Sequence, residues 1–359
     1  MHRLKAIGYL LAFLTPALMP FSGWLIDQGI VADLAVWFPL FFLFVLLPLA
    51  DYLIGQDASN ADEREAERLQ LRRWYRVLTL AALPVQIVLL FWSARQFGQL
   101  PLGIVGKLGW VLSQGVVSGV LAINVAHELI HKAGRLEPWA GGLLLCSVNY
   151  FGFKIEHLRG HHVHVSTPED ASSAALGRNV YAFVPRSMWH NTRNAWRLEA
   201  QRLSRLGLPA LHWRNEMIAW SLVTVLLSFL LYRYAGIAGL GYFFAQGAVA
   251  AVTLEIINYV EHYGLERRRL ADGRYERTTH LHSWNSNYLL TNLMLFQLQR
   301  HSDHHETARR RYQALRHYDA SPQLPGGYPA MLLLALVPPL WKRVIDPRVA
   351  QFRARQASV

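Results

Sequence analysis

The sequence predicts an all-α integral membrane protein, with six transmembrane helices and a cytoplasmic helical cap that carries a histidine-rich di-metal site. Three observations lead there. Of the 359 residues, 52% are hydrophobic and 12% aromatic, above the load of an ordinary soluble domain. Six apolar runs each approach the roughly 20 residues that a helix needs to cross a bilayer. Most of the histidines gather in short groups at or beyond the ends of those runs.

Taken in order, the runs are 7–26 (IGYLLAFLTPALMPFSGWLI), 34–54, 77–94, 101–126, 217–234 and 235–260. The first follows the basic stretch MHRLK, as a secretion signal would, but it is long and lacks a clear A-x-A site, so an uncleaved anchor is expected. The linker 27–33 has no Lys or Arg, whereas 55–76 is rich in Arg. The positive-inside rule then puts the first linker outside and the second inside. Both termini and the histidine-rich regions 127–216 and 261–359 follow onto the cytoplasmic side. Two shorter runs, 139–153 and 329–341, are expected to dip in and return or to lie in the interface. The GxxGxG at 236–241 sits inside the sixth run and reads as helix packing rather than a nucleotide loop. Nothing divides the chain, so 1–359 is expected to be a single membrane-embedded domain.

The 36 Lys and Arg outnumber 24 Asp and Glu, for a net charge of +12. Membrane topology alone produces such an excess, and no nucleic-acid partner is expected. The only cysteine is Cys146, which excludes a disulfide framework and an iron–sulfur cluster. Any electrons must therefore arrive on another carrier.

The chemistry sits in the histidines. In LQRHSDHHE, His301, His304 and His305 lie at i, i+3 and i+4, and three such rings on one helix face could converge on one point. AHELIHK places His127 and His131 at i, i+4; alone it reads as H-E-x-x-H, a zinc motif in which Glu128 would act as base. IEHLRGHHVH adds His157, His161 and His162, and NYVEHYG adds His262. One zinc takes three or four protein ligands, so this set exceeds a peptidase site. Two metals with four or five imidazoles each would use it. An all-nitrogen environment without thiolate is compatible with iron, and open positions would admit O2. A membrane setting then suggests oxidation of a lipid-soluble substrate, with a zinc metallopeptidase or a metal carrier as alternatives. Glu128, Glu156, Glu261 and Asp303 each neighbour one of these histidines and are expected to receive an imidazole N–H. Asn258 and Tyr259 are candidates to line a pocket. His2, His164, His190, His212, His280, His282 and His317 are read as non-ligands.

These stretches resemble the histidine boxes of the membrane-bound non-haem di-iron oxygenases, a superfamily of desaturases, xylene monooxygenases and alkane hydroxylases. HELIHK, EHLRGHH, NYVEHYGL and LQRHSDHH look most like those of bacterial alkane 1-monooxygenases. LPLADYLIGQD, LEAQRLSRLG, DGRYERTTHLHSWNSN, YQALRHYDASPQLPGGYP and IDPRV fit as well, so the likeness covers about 20–349; only Leu158 and Arg159 inside the second box depart. The resemblance implies terminal hydroxylation of alkanes to 1-alkanols in the bacterial inner membrane. It implies two irons held by the nine histidines, O2 as co-substrate, and two electrons from rubredoxin, itself reduced by an NADH-dependent reductase. It implies no catalytic residue beyond the metal ligands. A related desaturase or xylene-type monooxygenase is the nearest chemical rival. Leu43 falls where alkane hydroxylases carry residues linked to chain length. Arg309, Arg310 and Arg311, near the third box, are expected to dock an acidic rubredoxin.

Overall fold

The computed structural model describes residues 2–357, and among these the regular structure is all helical, with no strand beyond isolated bridges. Four long helices open the chain: α1 (Leu4–Asp27), α2 (Ala32–Ile54), α3 (Arg73–Gln99) and α4 (Ile104–Ile130). Each is apolar and long enough to cross a bilayer, and many of their leucines, valines and phenylalanines face outward. That exposure is costly in water and favourable in lipid. Two short helices follow, α5 (Leu136–Cys146) and α6 (153–164), and then the 25-residue surface helix α7 (Val180–Ser204), which Asn179 caps by accepting the Ala182 N–H at 2.9 Å.

The fifth long helix, α8 (Glu216–His262), has 47 residues. At about 1.5 Å per residue it would run to roughly 70 Å, more than twice a bilayer's hydrocarbon core. It is interrupted at Gly236, whose φ of +67° is outside the helical region and favours glycine. The break falls where the runs 217–234 and 235–260 meet. Of the 236–241 glycines, only Gly239 is a packing contact, where an added Cβ would lie 3.8 Å from Cβ of Ala94 on α3; Gly236 and Gly241 have no neighbour within 4 Å of an added Cβ. Close packing occurs elsewhere on this helix. A Cβ on Gly115 of α4 would lie 2.3 Å from Cβ of Val249, so the bare backbone lets α4 and α8 touch.

After α8 the chain runs irregularly to α9 (Leu289–Met294), α10 (His301–Glu306), α11 (Tyr328–Ala335) and α12 (Pro338–Ala357). Helices α11 and α12 meet at a bend of 119°, so the short run at 329–341 turns sharply rather than continuing straight. The irregular stretch is buried and hydrogen-bonded. Asn285 receives the Ser302 N–H at 2.9 Å and donates to the Ser302 hydroxyl at 2.6 Å, which anchors the start of α10. Asp51 of α2 accepts the Thr291 N–H at 2.9 Å, tying the first turn of α9 to the membrane bundle. These anchors fix α10 against the ends of α4, α6 and α8.

Candidate metal centre

All nine histidines come together, in two groups. In one, His127, His131, His157, His162 and His304 turn ligand nitrogens to within 4.8 Å of one another; in the other, His161, His262, His301 and His305 do the same. The three histidines of α10 do not converge on one point. His301 and His305 are a helical turn apart and join the second group, while His304, on an adjacent face, joins the first. Helix α10 thus stands between the groups.

Helix α6 divides in a different way. Its 157–161 stretch is wound more loosely than an α-helix, with i→i+5 hydrogen bonding. That winding brings residues five apart onto one face, and Nε2 of His157 lies 3.0 Å from Nε2 of His162. His161 is turned to the other group, where its Nε2 is 3.2 Å from that of His305. His131 to His157 (3.0 Å), His162 to His304 (3.2 Å) and His305 to His301 (3.0 Å) complete the Nε2 contacts.

Burial drives His131, His157, His162, His301, His304 and His305 well below the ordinary histidine pKa, with neighbouring imidazoles adding to the shift. Neutral imidazole is the form that binds a metal. Nε2 of His127 and of His262 are both buried without a hydrogen-bond partner, one in each group. A buried ring nitrogen aimed at other ring nitrogens needs an electron-pair acceptor, so the donor set fits one metal ion in each group.

The surroundings separate the expected carboxylates. Asp170, which the sequence reading passed over, accepts from Nδ1 of His161 at 2.9 Å and is held by the Ser173 hydroxyl and the Ser172 N–H. Burial alone would depress His161, but this carboxylate lifts it above its usual value; the same contact keeps Asp170 low despite its own burial. Glu261 reaches His301, 3.2 Å away, and accepts from the Tyr328 hydroxyl at 2.8 Å. Glu128 pairs with Lys132 at 2.8 Å and accepts the Tyr312 N–H at 3.3 Å. Asp303 takes Arg310, the Arg316 N–H (2.9 Å) and the Tyr318 hydroxyl (3.0 Å). Glu156, pushed up to about 8 by burial and then by the charge of Asp170, takes only the Asn194 amide, at 3.3 Å. Three of the four therefore contact cations, hydroxyls or amides where an imidazole N–H was expected. Glu128, held by Lys132, is poorly placed to be the base of a zinc peptidase.

An apolar channel leads to the groups. Leu43, Val116, Gly119, Met294 and Leu332 line it, and His127, His157 and His301 stand along its wall, so it touches both groups. Asn258 also lines it. Tyr259 does not; its hydroxyl donates to the Arg178 carbonyl and its ring packs on Tyr263 and Trp341.

The sequence profile of the fatty acid desaturase family matches residues 102–334. An alkane 1-monooxygenase 2 of Pseudomonas aeruginosa is 52% identical over 99% of this chain and 94% of its own length. The chain belongs to the alkane 1-monooxygenase family. An alkane 1-monooxygenase 2 of Alcanivorax borkumensis is 48% identical over 98% of the chain and 93% of its own length. The xylene/toluene monooxygenase hydroxylase component of Pseudomonas putida is more distant, at 30% identity over 70% of the chain and 66% of its own length. The chain is therefore an enzyme of the alkane 1-monooxygenase type, a multi-pass membrane oxidoreductase with a histidine metal site.

Among the described side chains of this alkane 1-monooxygenase homologue, His164, His190, His212, His280, His282 and His317 stand outside both groups; that of His2 lies outside the described residues. The arginine triplet is not a uniform surface. Arg311 grips Glu137 through two nitrogens at 2.7 and 3.2 Å, Arg310 grips Asp303, and only Arg309 of the three is exposed. Two of the three expected docking residues are thus tied to buried carboxylates, Arg310 to Asp303 of α10 and Arg311 to Glu137 of α5.

Proposed function

We propose that this chain inserts one oxygen atom of O2 into the terminal C–H bond of an alkane at a pair of irons. The balance is R–CH3 + O2 + 2 electrons + 2 H+ giving R–CH2OH and H2O. The observation that carries the reading is an apolar channel whose wall includes histidines of both metal groups. Five and four imidazoles without thiolate suit iron, which supplies the O2 activation and the oxidising power when bound. The metal ligands are His127, His131, His157, His162 and His304 on one side and His161, His262, His301 and His305 on the other.

The protein's own part is binding, exclusion and orientation. An alkane offers no polar group to hold, so position along the chain is read by the shape of the channel. Leu43 and Leu332 are apolar wall, and a chain lying along them presents one end to His127, His157 and His301. Asp170 fixes the ring of His161 by accepting its Nδ1–H. The electron donor is rubredoxin, reduced upstream by an NADH-dependent reductase. It meets the cytoplasmic face with Arg309 as an exposed contact. The site is the bacterial inner membrane with both termini cytoplasmic, as the arginine-rich 55–76 linker supports.

The test is gas chromatography of products from a panel of linear alkanes, using purified protein, rubredoxin, its reductase and NADH. The expected product is the 1-alkanol alone. Alkenes would return the chain to desaturase chemistry, and no product with any alkane would remove the reading.

A further inference from the structure

We infer that Glu261 is an oxygen ligand that completes the four-histidine group on its channel side. The inference rests on the two-metal reading above and adds a residue to it. Its place beside His262 in the sequence suggests a brace for the outer nitrogen of an imidazole, as Asp170 is for His161. The geometry differs. Oε2 of Glu261 lies 3.2 Å from Nε2 of His301, the nitrogen that also faces Nε2 of His305 at 3.0 Å. Nδ1 of His301, the atom a brace would take, is buried without a partner. The carboxylate is therefore on the inner side of the ring, where the metal would be.

The spacing agrees. With metal–ligand bonds of about 2.1 Å, two ligands at a right angle place their donor atoms about 3 Å apart. The Nε2 separations of His305 from His301 and of His161 from His305 are 3.0 and 3.2 Å, and Oε2 of Glu261 repeats that spacing from Nε2 of His301. Only the four imidazoles have ligand nitrogens all within 4.8 Å of one another; the carboxylate meets the group through His301 and must turn inward from the rim to share the ion. Its side chain is 3% exposed, and among the described residues no lysine or arginine pairs with it. A buried carboxylate without a cation is costly unless a metal supplies the charge. The Tyr328 hydroxyl donates to the other oxygen, Oε1, at 2.8 Å and leaves Oε2 for the ion. Glu261 and Tyr328 both line the apolar channel. Among the described residues the carboxylate is the only acidic group of the channel wall, set where substrate and the second metal meet.

The experiment reads metal and not turnover. Purified full-length protein in detergent is stripped and reloaded with cobalt(II), then compared with Glu261→Gln and Tyr328→Phe. Wild type should bind two cobalt ions per chain. In Glu261→Gln both ions should still bind, the visible spectrum of one should change as it loses an oxygen ligand, and a chelator should remove that ion about tenfold faster. Tyr328→Phe should move the same signals by less. Wild-type spectra and release in both variants would overturn the inference while leaving the metal pair intact. If Glu261→Gln does not fold, Tyr328→Phe decides in the same way. Fewer than two cobalt ions in the wild type would overturn the two-metal reading itself, and this inference with it.

Discussion

The two histidine groups share helices α6 and α10, with α4 completing one and α8 the other, and they stand in different surroundings. The five-histidine group is imidazole nearly throughout: of the acids next to it in sequence, Glu128 and Asp303 are spent on Lys132 and Arg310, and Glu156 takes the Asn194 amide. The four-histidine group has one imidazole fewer and two acids in contact, Asp170 on His161 and Glu261 on His301. The difference teaches that imidazole count and carboxylate support trade against each other. The larger group can hold an ion by number alone, whereas the smaller needs braced, better-donating rings.

The largest effect should come from removing a ligand from the smaller group. His262→Ala leaves three imidazoles there and should release that ion and abolish hydroxylation, while His131→Ala leaves four and should keep both ions at reduced activity. Equal iron loss in both variants, by metal analysis, would erase the distinction. Next comes the brace. Asp170→Asn should weaken the smaller group's metal affinity about ten- to a hundredfold. Glu128→Gln, which breaks a buried ion pair and touches no imidazole within hydrogen-bond range, should instead lower Tm with metal affinity unchanged. A third change leaves both groups alone: Leu43→Trp narrows the channel and should shorten the longest alkane accepted, read from the product spectrum. The smallest concerns a carboxylate that touches α6 only through Arg159 and contacts no histidine of either group. Glu199 is held down to about 2, against burial, by Arg202, the Glu216 N–H and Arg159. Its folded pKa is below the ordinary 4.5, so its contribution to stability is full above that value and is lost as pH falls toward 2. The Tm gap between wild type and Glu199→Gln should close over that window, and a gap constant with pH would remove Glu199 from the acid response.

Much of this was legible in the chain. Long apolar runs announce membrane helices because lipid demands an unbroken apolar surface, and the helices found start and end within a few residues of 7–26, 34–54, 77–94 and 101–126. The nine histidines stand out because imidazole near a membrane is expensive unless it is ligated or paired. The division between groups was not legible. An α-helical reading of LQRHSDHH aims three rings at one point, and only the neighbouring helices decide that His304 turns away from His301 and His305. The loose winding of 157–161, which separates His161 from His157, has no simple sequence signal. Asp170 sits in STPEDASS, which reads as an exposed turn; its position eight residues after His162 gives no hint that the turn folds back under His161. The arginines misled for a related reason, since a basic run looks the same whether it faces a partner or, like Arg310 and Arg311, buried carboxylates.

The central claim is that nine histidines hold two ions, one in each group, and metal analysis of the protein purified from iron-supplemented cells tests it most directly. The account predicts two irons per chain, falling to one in His262→Ala with the fold intact by circular dichroism. One zinc per chain, or iron unchanged in His262→Ala, would contradict it.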